Sequence, residues 1–147
     1  MKPFYLLCFA TGVGCSVLSA AEKDASKSLP APVSEKTYTF QQIDAEKVAL
    51  KEKVVRVELA KLLGKGSLEG DGLIHYIAKD TSGTTTPYGQ IAFPKDGLQK
   101  TGLTDPNKGP LAVYVRVHLF EDVKAAALCI AVGTQVSVAE GKAVYSW

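Results

Sequence analysis

Few side chains in this chain of 147 residues could carry chemistry: two histidines, His75 and His118, two arginines, Arg56 and Arg116, and Cys129, the one cysteine beyond residue 15. A catalytic zinc takes three protein ligands, and neither an HExxH pattern nor closely spaced cysteines accompany the two histidines. The glycine-rich run Gly64 to Gly72, GKGSLEGDG, lacks the GxxxxGK[ST] spacing that cradles phosphates. No GxSxG elbow marks a nucleophilic serine. Asp71, Asp96 and Asp105 each adjoin Gly or Pro, and Asp80 opens the Asp80-Thr81-Ser82-Gly83 turn, positions where aspartate stabilises turns. Calcium-dependent phosphodiester cleavage would need arginines converging with several carboxylates. Arg56 and Arg116 instead stand mid-strand between valines. The pattern therefore predicts no enzyme, no cofactor and no metal, with a secreted nuclease as the weaker alternative.

Positioning such residues begins with what is removed. Lys2 precedes an apolar, small-residue run from Phe4 to Leu18, followed by Ser19, Ala20 and Ala21, which reads as a secretory signal peptide cleaved after one of the alanines. The run is shorter than the roughly 20 apolar residues of a membrane span, so the mature chain is expected to carry none. The alternative acylates Cys15 in Gly12-Val13-Gly14-Cys15 as a lipid anchor. Either route exports the protein to the periplasm or beyond. Cleavage after residue 21 leaves Cys129 alone within AAALCIAV, where a small buried side chain is expected rather than a nucleophile.

Charge argues against a dedicated DNA-binding role. The whole chain carries +2, with 17 Lys and Arg against 15 Asp and Glu, and loss of Lys2 brings the mature chain closer to neutrality. A DNA-binding domain relying on phosphate contacts shows a basic excess or stripe, whereas these lysines alternate with glutamates.

Organisation follows from periodicity. Residues 22–36, EKDASKSLPAPVSEK, lack apolar periodicity and are expected to form a flexible leader, with one domain over residues 37–147. Lys53 to Leu63 alternates as a first strand; Leu73 to Lys79 gives a second; YGQIAF, Tyr88 to Phe93, a third, with a bulge expected at Gly89. A short helix is expected within Lys95 to Gly102. The clearest signal is LAVYVRVHLF, Leu111 to Phe120, where Val113, Val115, Val117 and Leu119 alternate with Tyr114, Arg116, His118 and Phe120. Ala125 to Val138 gives a fifth strand, bent at Gly133, and Ala143 to Trp147 a short last one. The entry segment from Tyr38 to Leu50 suggests a short helix in its second half.

Five strands with a helix between the third and fourth, the Asp80-Thr81-Ser82-Gly83 turn feeding YGQIAF, and Val-Arg-Val triplets in strands one and four make this order resemble the OB-fold. The implied fold class is mainly β, a five-stranded Greek-key barrel. The resemblance implies binding of an oligosaccharide, an oligonucleotide or an exported protein through strands two and three and the loops beside them. Carried onto this chain, it points to His75, Tyr76 and Tyr88, with Lys65 and Ser67 in the first loop and Lys124 in the loop between strands four and five. A structural envelope-interaction protein is the alternative. Pairing of strands one and four is further expected to bring Arg116 against Glu58.

Overall fold

The structure is a computed structural model and describes residues 29–65, 72–83, 89–103, 108–122 and 124–147. The segment expected to be a signal peptide, the expected leader up to residue 28, Ser67 and Tyr88 lie outside the described residues.

Strand β1 (Pro32–Tyr38) leads into two short helices, α1 (Phe40–Ala45) and α2 (Lys47–Leu50). Then come β2 (Val54–Lys65), β3 (Leu73–Asp80), β4 (Gly89–Pro94), helix α3 (Lys95–Thr101), β5 (Leu111–His118) and β6 (Leu128–Gly133), and finally β7 (Gln135–Ala139) and β8 (Lys142–Ser146). Strands β2 to β6 form the five-stranded barrel that the OB-fold resemblance implied, and it is closed, in the order β2-β3-β4-β6-β5 with β5 returning to β2. All its pairings are antiparallel except β4 with β6. The expected helix between the third and fourth barrel strands is α3.

Alternation decides which side chains fill the barrel. Val55, Val57 and Leu59 of β2 face Val113, Val115 and Val117 of β5, Ile91 and Phe93 of β4, and Cys129 and Ala131 of β6, all buried in one cluster. Register shifts at Leu59/Lys61 and Leu62/Gly64 interrupt the β2–β3 ladder, and such bulges add the local twist that a small barrel needs to close.

Each end of the barrel is plugged. Thr39 caps α1, its hydroxyl accepting from the Gln42 amide (3.1 Å) while the Gln42 side chain accepts from the Thr39 amide (3.1 Å). That cap aims Phe40 and Ile43 into one mouth of the barrel, and the Phe40 ring lies flat over the backbone of Gly89. Asp80, also buried, fixes this arrangement from β3: one carboxylate oxygen accepts the Phe40 amide at 2.7 Å and the other the Ser82 amide at 2.9 Å. Its turn role is therefore the one its sequence context predicted. At the other end Leu98 of α3 is buried, and Trp147 packs on Phe93 (centroids 6.1 Å apart) and against Gly97.

Three expectations are corrected. The leader was expected to run through Lys36, but Pro32–Tyr38 forms β1, which pairs in parallel with the half of β2 that β3 leaves open. The segment has no apolar run of its own, and its strand exists because β2 offers an unfilled edge. The long fifth strand ends at Gly133, and residues 135–146 turn back as a separate hairpin through Glu140 (φ 52°) and Gly141 (φ 76°), the left-handed pair of a two-residue turn. Arg116 does not meet Glu58. Strands β2 and β5 do pair, but in a register that sets Arg116 opposite Val54 and Glu58 opposite Ala112. Glu58 instead accepts from the Thr81 hydroxyl at 3.1 Å.

Gly89 is needed for close approach, because an added Cβ would sit 2.1 Å from the Phe40 ring. Gly89→Ala is expected to lower the unfolding free energy in urea by about 1–3 kcal/mol. Gly64→Ala, where a Cβ meets nothing within 4 Å, should change it by less than about 0.5 kcal/mol. Equal effects at the two glycines would refute the packing assignment.

Candidate functional site

The outer face of the barrel carries a groove of about 650 Å³ where β3, β4, β6 and β5 run side by side. Leu73, Pro94, Ile130 and Val132 supply its aliphatic floor. They come together because they occupy the outward positions of adjacent strands, Leu73 directly opposite Pro94. One wall is built from the two parts of the chain that flank the barrel in sequence. Leu29 bridges to Ala143 of β8, and the Tyr145 hydroxyl donates to the Pro30 carbonyl at 2.6 Å. Burial, with the neighbouring Tyr114 adding to it, pushes the Tyr145 phenol up to about 12, so it stays a donor throughout the physiological range. Its ring leans on Tyr114 with centroids 5.6 Å apart.

The groove has one charged end. Glu52 lies just before β2 with a left-handed backbone (φ 60°), a conformation that costs a non-glycine residue about 1–3 kcal/mol and must be held by its surroundings. Here the Glu52 amide donates to the Val117 carbonyl at 2.7 Å and the Val117 amide to the Lys53 carbonyl at 3.0 Å. That turn places the Glu52 carboxylate against the Arg116 guanidinium and 3.2 Å from Nδ1 of His118. Partial burial would raise the carboxyl, but hydrogen bonds and charge from Arg116 and His118 outweigh it and hold Glu52 below the usual carboxylate range. His118 also stands edge-on to Phe120, centroids 6.0 Å apart.

The residues expected to bind a ligand are only partly brought together. Tyr76 points into the barrel, edge-on to Phe93 with centroids 6.3 Å apart, and packs against the core. Lys65 stands opposite Tyr76 at the end of β2. His75 occupies an outward position of β3, in register with Ala92, Ile130, Arg116 and Val54 around the barrel. As a ligand residue His75 would have to be accessible, but it is 5% exposed, and Ala92 and Val54 on the same rung are fully buried, so this part of the outer wall is covered. Lys124 lies in the β5–β6 loop, its amide donating to Asp122, beside Ala125, whose carbonyl accepts from Lys47 of α2. Sequence reasoning missed Glu52, Tyr145, Leu29 and Pro30. No periodic signal marks them, since each acts through a contact across the chain.

Arg56, the second arginine, donates to the Thr37 hydroxyl of β1. Among the described residues no group of three His, Cys, Asp or Glu side chains could hold a metal ion. Cys129 lies in the core, 1% exposed, and burial pushes its thiol up to about 12. Compared with protein-family models, curated proteins and solved structures, the chain matches none.

Two predictions follow from these environments. A lowered carboxyl pKa in the fold means that the Glu52 contact contributes stability above the ordinary carboxylate pKa and loses it as pH falls through the lowered value. Arg116→Gln should cost about 0.2–1 kcal/mol at neutral pH, and the gap to the parent should shrink in acid; parallel stability curves would refute it. The Cys129 thiol should resist a thiol-reactive dye in native protein and react at the rate of unfolding. Prompt labelling of folded protein would contradict its burial.

Proposed function

We propose that the chain is an exported, non-enzymatic binding module built on an OB-fold, and that its outer groove takes an extended apolar segment of another exported protein. The strand order β2-β3-β4-β6-β5-β2, with α3 between the third and fourth barrel strands, supports the fold assignment. The observation that carries the ligand class is the groove itself. Its floor is aliphatic, and its one guanidinium is already matched by Glu52.

An oligonucleotide groove needs a basic track and free aromatic faces for stacking. Here Arg116 is neutralised, and the Tyr145 ring and hydroxyl are engaged by Tyr114 and Pro30. An oligosaccharide is disfavoured on the same engagement of Tyr145. Alternating aliphatic side chains of a peptide fit a floor made of outward positions on neighbouring strands, and the Glu52–Arg116 pair can exchange hydrogen bonds with a peptide backbone at the groove's end. Nuclease activity finds little support, since both arginines are committed, to Thr37 and to Glu52.

The test is a thermal-shift comparison of short peptides with alternating aliphatic residues, a thymidine oligonucleotide and a cello-oligosaccharide, on the parent protein and on Val132→Trp, which fills the groove. A peptide at a hundredfold its Kd should add about 2.7 kcal/mol of stability to the parent and nothing to the variant. Stabilisation by the oligonucleotide or the sugar alone would overturn the ligand class. Stabilisation that Val132→Trp leaves intact would overturn the site.

A further inference from the structure

A second surface lies outside the groove, on the outer face of the β2–β3 hairpin. Lys61 and Lys79 stand directly opposite each other across the antiparallel ladder. Like charges at such a pair repel, and sequences ordinarily place an acid at one of the two positions. Among the described residues no carboxylate lies within ion-pair distance of either; Glu58, the nearest acid along β2, is turned to Thr81.

On the next outward position of β3, within the barrel wall, Ile77 is opposite Gly64, whose missing side chain leaves open space, and Ile77 is 41% exposed. Leu63, displaced by the second bulge, is 40% exposed beside it. The outer face of the hairpin thus presents two uncovered aliphatic side chains beside two lysines that have no carboxylate partner among the described residues. Aliphatic side chains that enter the acyl boundary, with lysine stems beside them reaching to the headgroups, suit a membrane surface bearing negative charge.

We propose that this face of the β2–β3 hairpin docks on an anionic lipid surface, with Ile77 and Leu63 entering the interface and Lys61 and Lys79 engaging the headgroup phosphates. The proposal stands apart from the groove and from what the groove binds. Nucleic acid would meet the same lysines but would gain nothing from two exposed aliphatic side chains without stacking rings.

Co-sedimentation of the processed chain with vesicles tests it, using phosphatidylcholine alone and phosphatidylcholine mixed with phosphatidylglycerol. Binding is expected only to the mixed vesicles and should weaken as salt is raised. The double variant Lys61→Gln, Lys79→Gln should bind them roughly thirtyfold less tightly, from the loss of two lysines near an anionic surface. Its melting temperature should not fall, because a repulsive pair has been removed. Ile77→Ser should weaken binding roughly tenfold while leaving the salt dependence in place, and Lys61→Arg, Lys79→Arg should restore the parent value. Equal binding to both vesicle types, parent-like binding by the double glutamine variant, or retention of a thymidine oligonucleotide with no binding to either vesicle would overturn the proposal.

Discussion

Six consecutive residue pairs between Val54–Leu59 and Leu111–Arg116 close the barrel, and every other feature of the molecule is arranged around that seam. Without it Val55, Val57, Val113 and Val115 would lie on two open edges; with it they are fully buried. At roughly 1.5–3 kcal/mol for each aliphatic side chain taken from water, these four outweigh any single polar contact in the structure. The same register sets the outward residues. It places Arg116 beside Val54, one turn of chain from Glu52, and so determines that the arginine meets Glu52 and not Glu58.

Closure also creates two open mouths, and the chain fills each with an element that is not part of the barrel. Phe40 enters one mouth over Gly89, where no other residue would let a ring lie so close. Asp80 ties that helix to β3 through the Phe40 amide, joining the plug to the wall. Trp147 lies at the other mouth between Phe93 and α3. Because the flanking segments are thus anchored at the barrel, they run over its outer surface. The groove exists because Leu29, Pro30 and β8 stand up beside a floor of outward aliphatic side chains.

The barrel strands were legible because half-buried antiparallel strands must alternate, and a period of two survives in the sequence whatever the partner strand. Helix α3 was legible for a similar local reason, between Pro94 and the left-handed Gly102. Strand β1 was not, because Pro32–Tyr38 has the composition of a leader and becomes a strand only on meeting the free half of β2. Strand β7 was read as a continuation of β6, since its valines alternate in phase with it, whereas β8 falls where a short last strand was expected. Of the candidate ligand residues, the sequence placed His75 and Tyr76 on the correct strand. It could not say that Tyr76 faces the core or that His75 is covered, because barrel closure chooses which parity is inside.

By itself, then, the sequence determined the number and type of the five barrel strands, the approximate limits of all but the last of them, the inert burial of Cys129 and the turn role of Asp80. Each of these depends on neighbours within a few residues. Tertiary structure alone decided the parallel pairing of β4 with β6, the register of the seam, the partner of Arg116 and the groove. Those depend on which distant backbone groups meet, and a single-residue slip in register would exchange every inward side chain for an outward one.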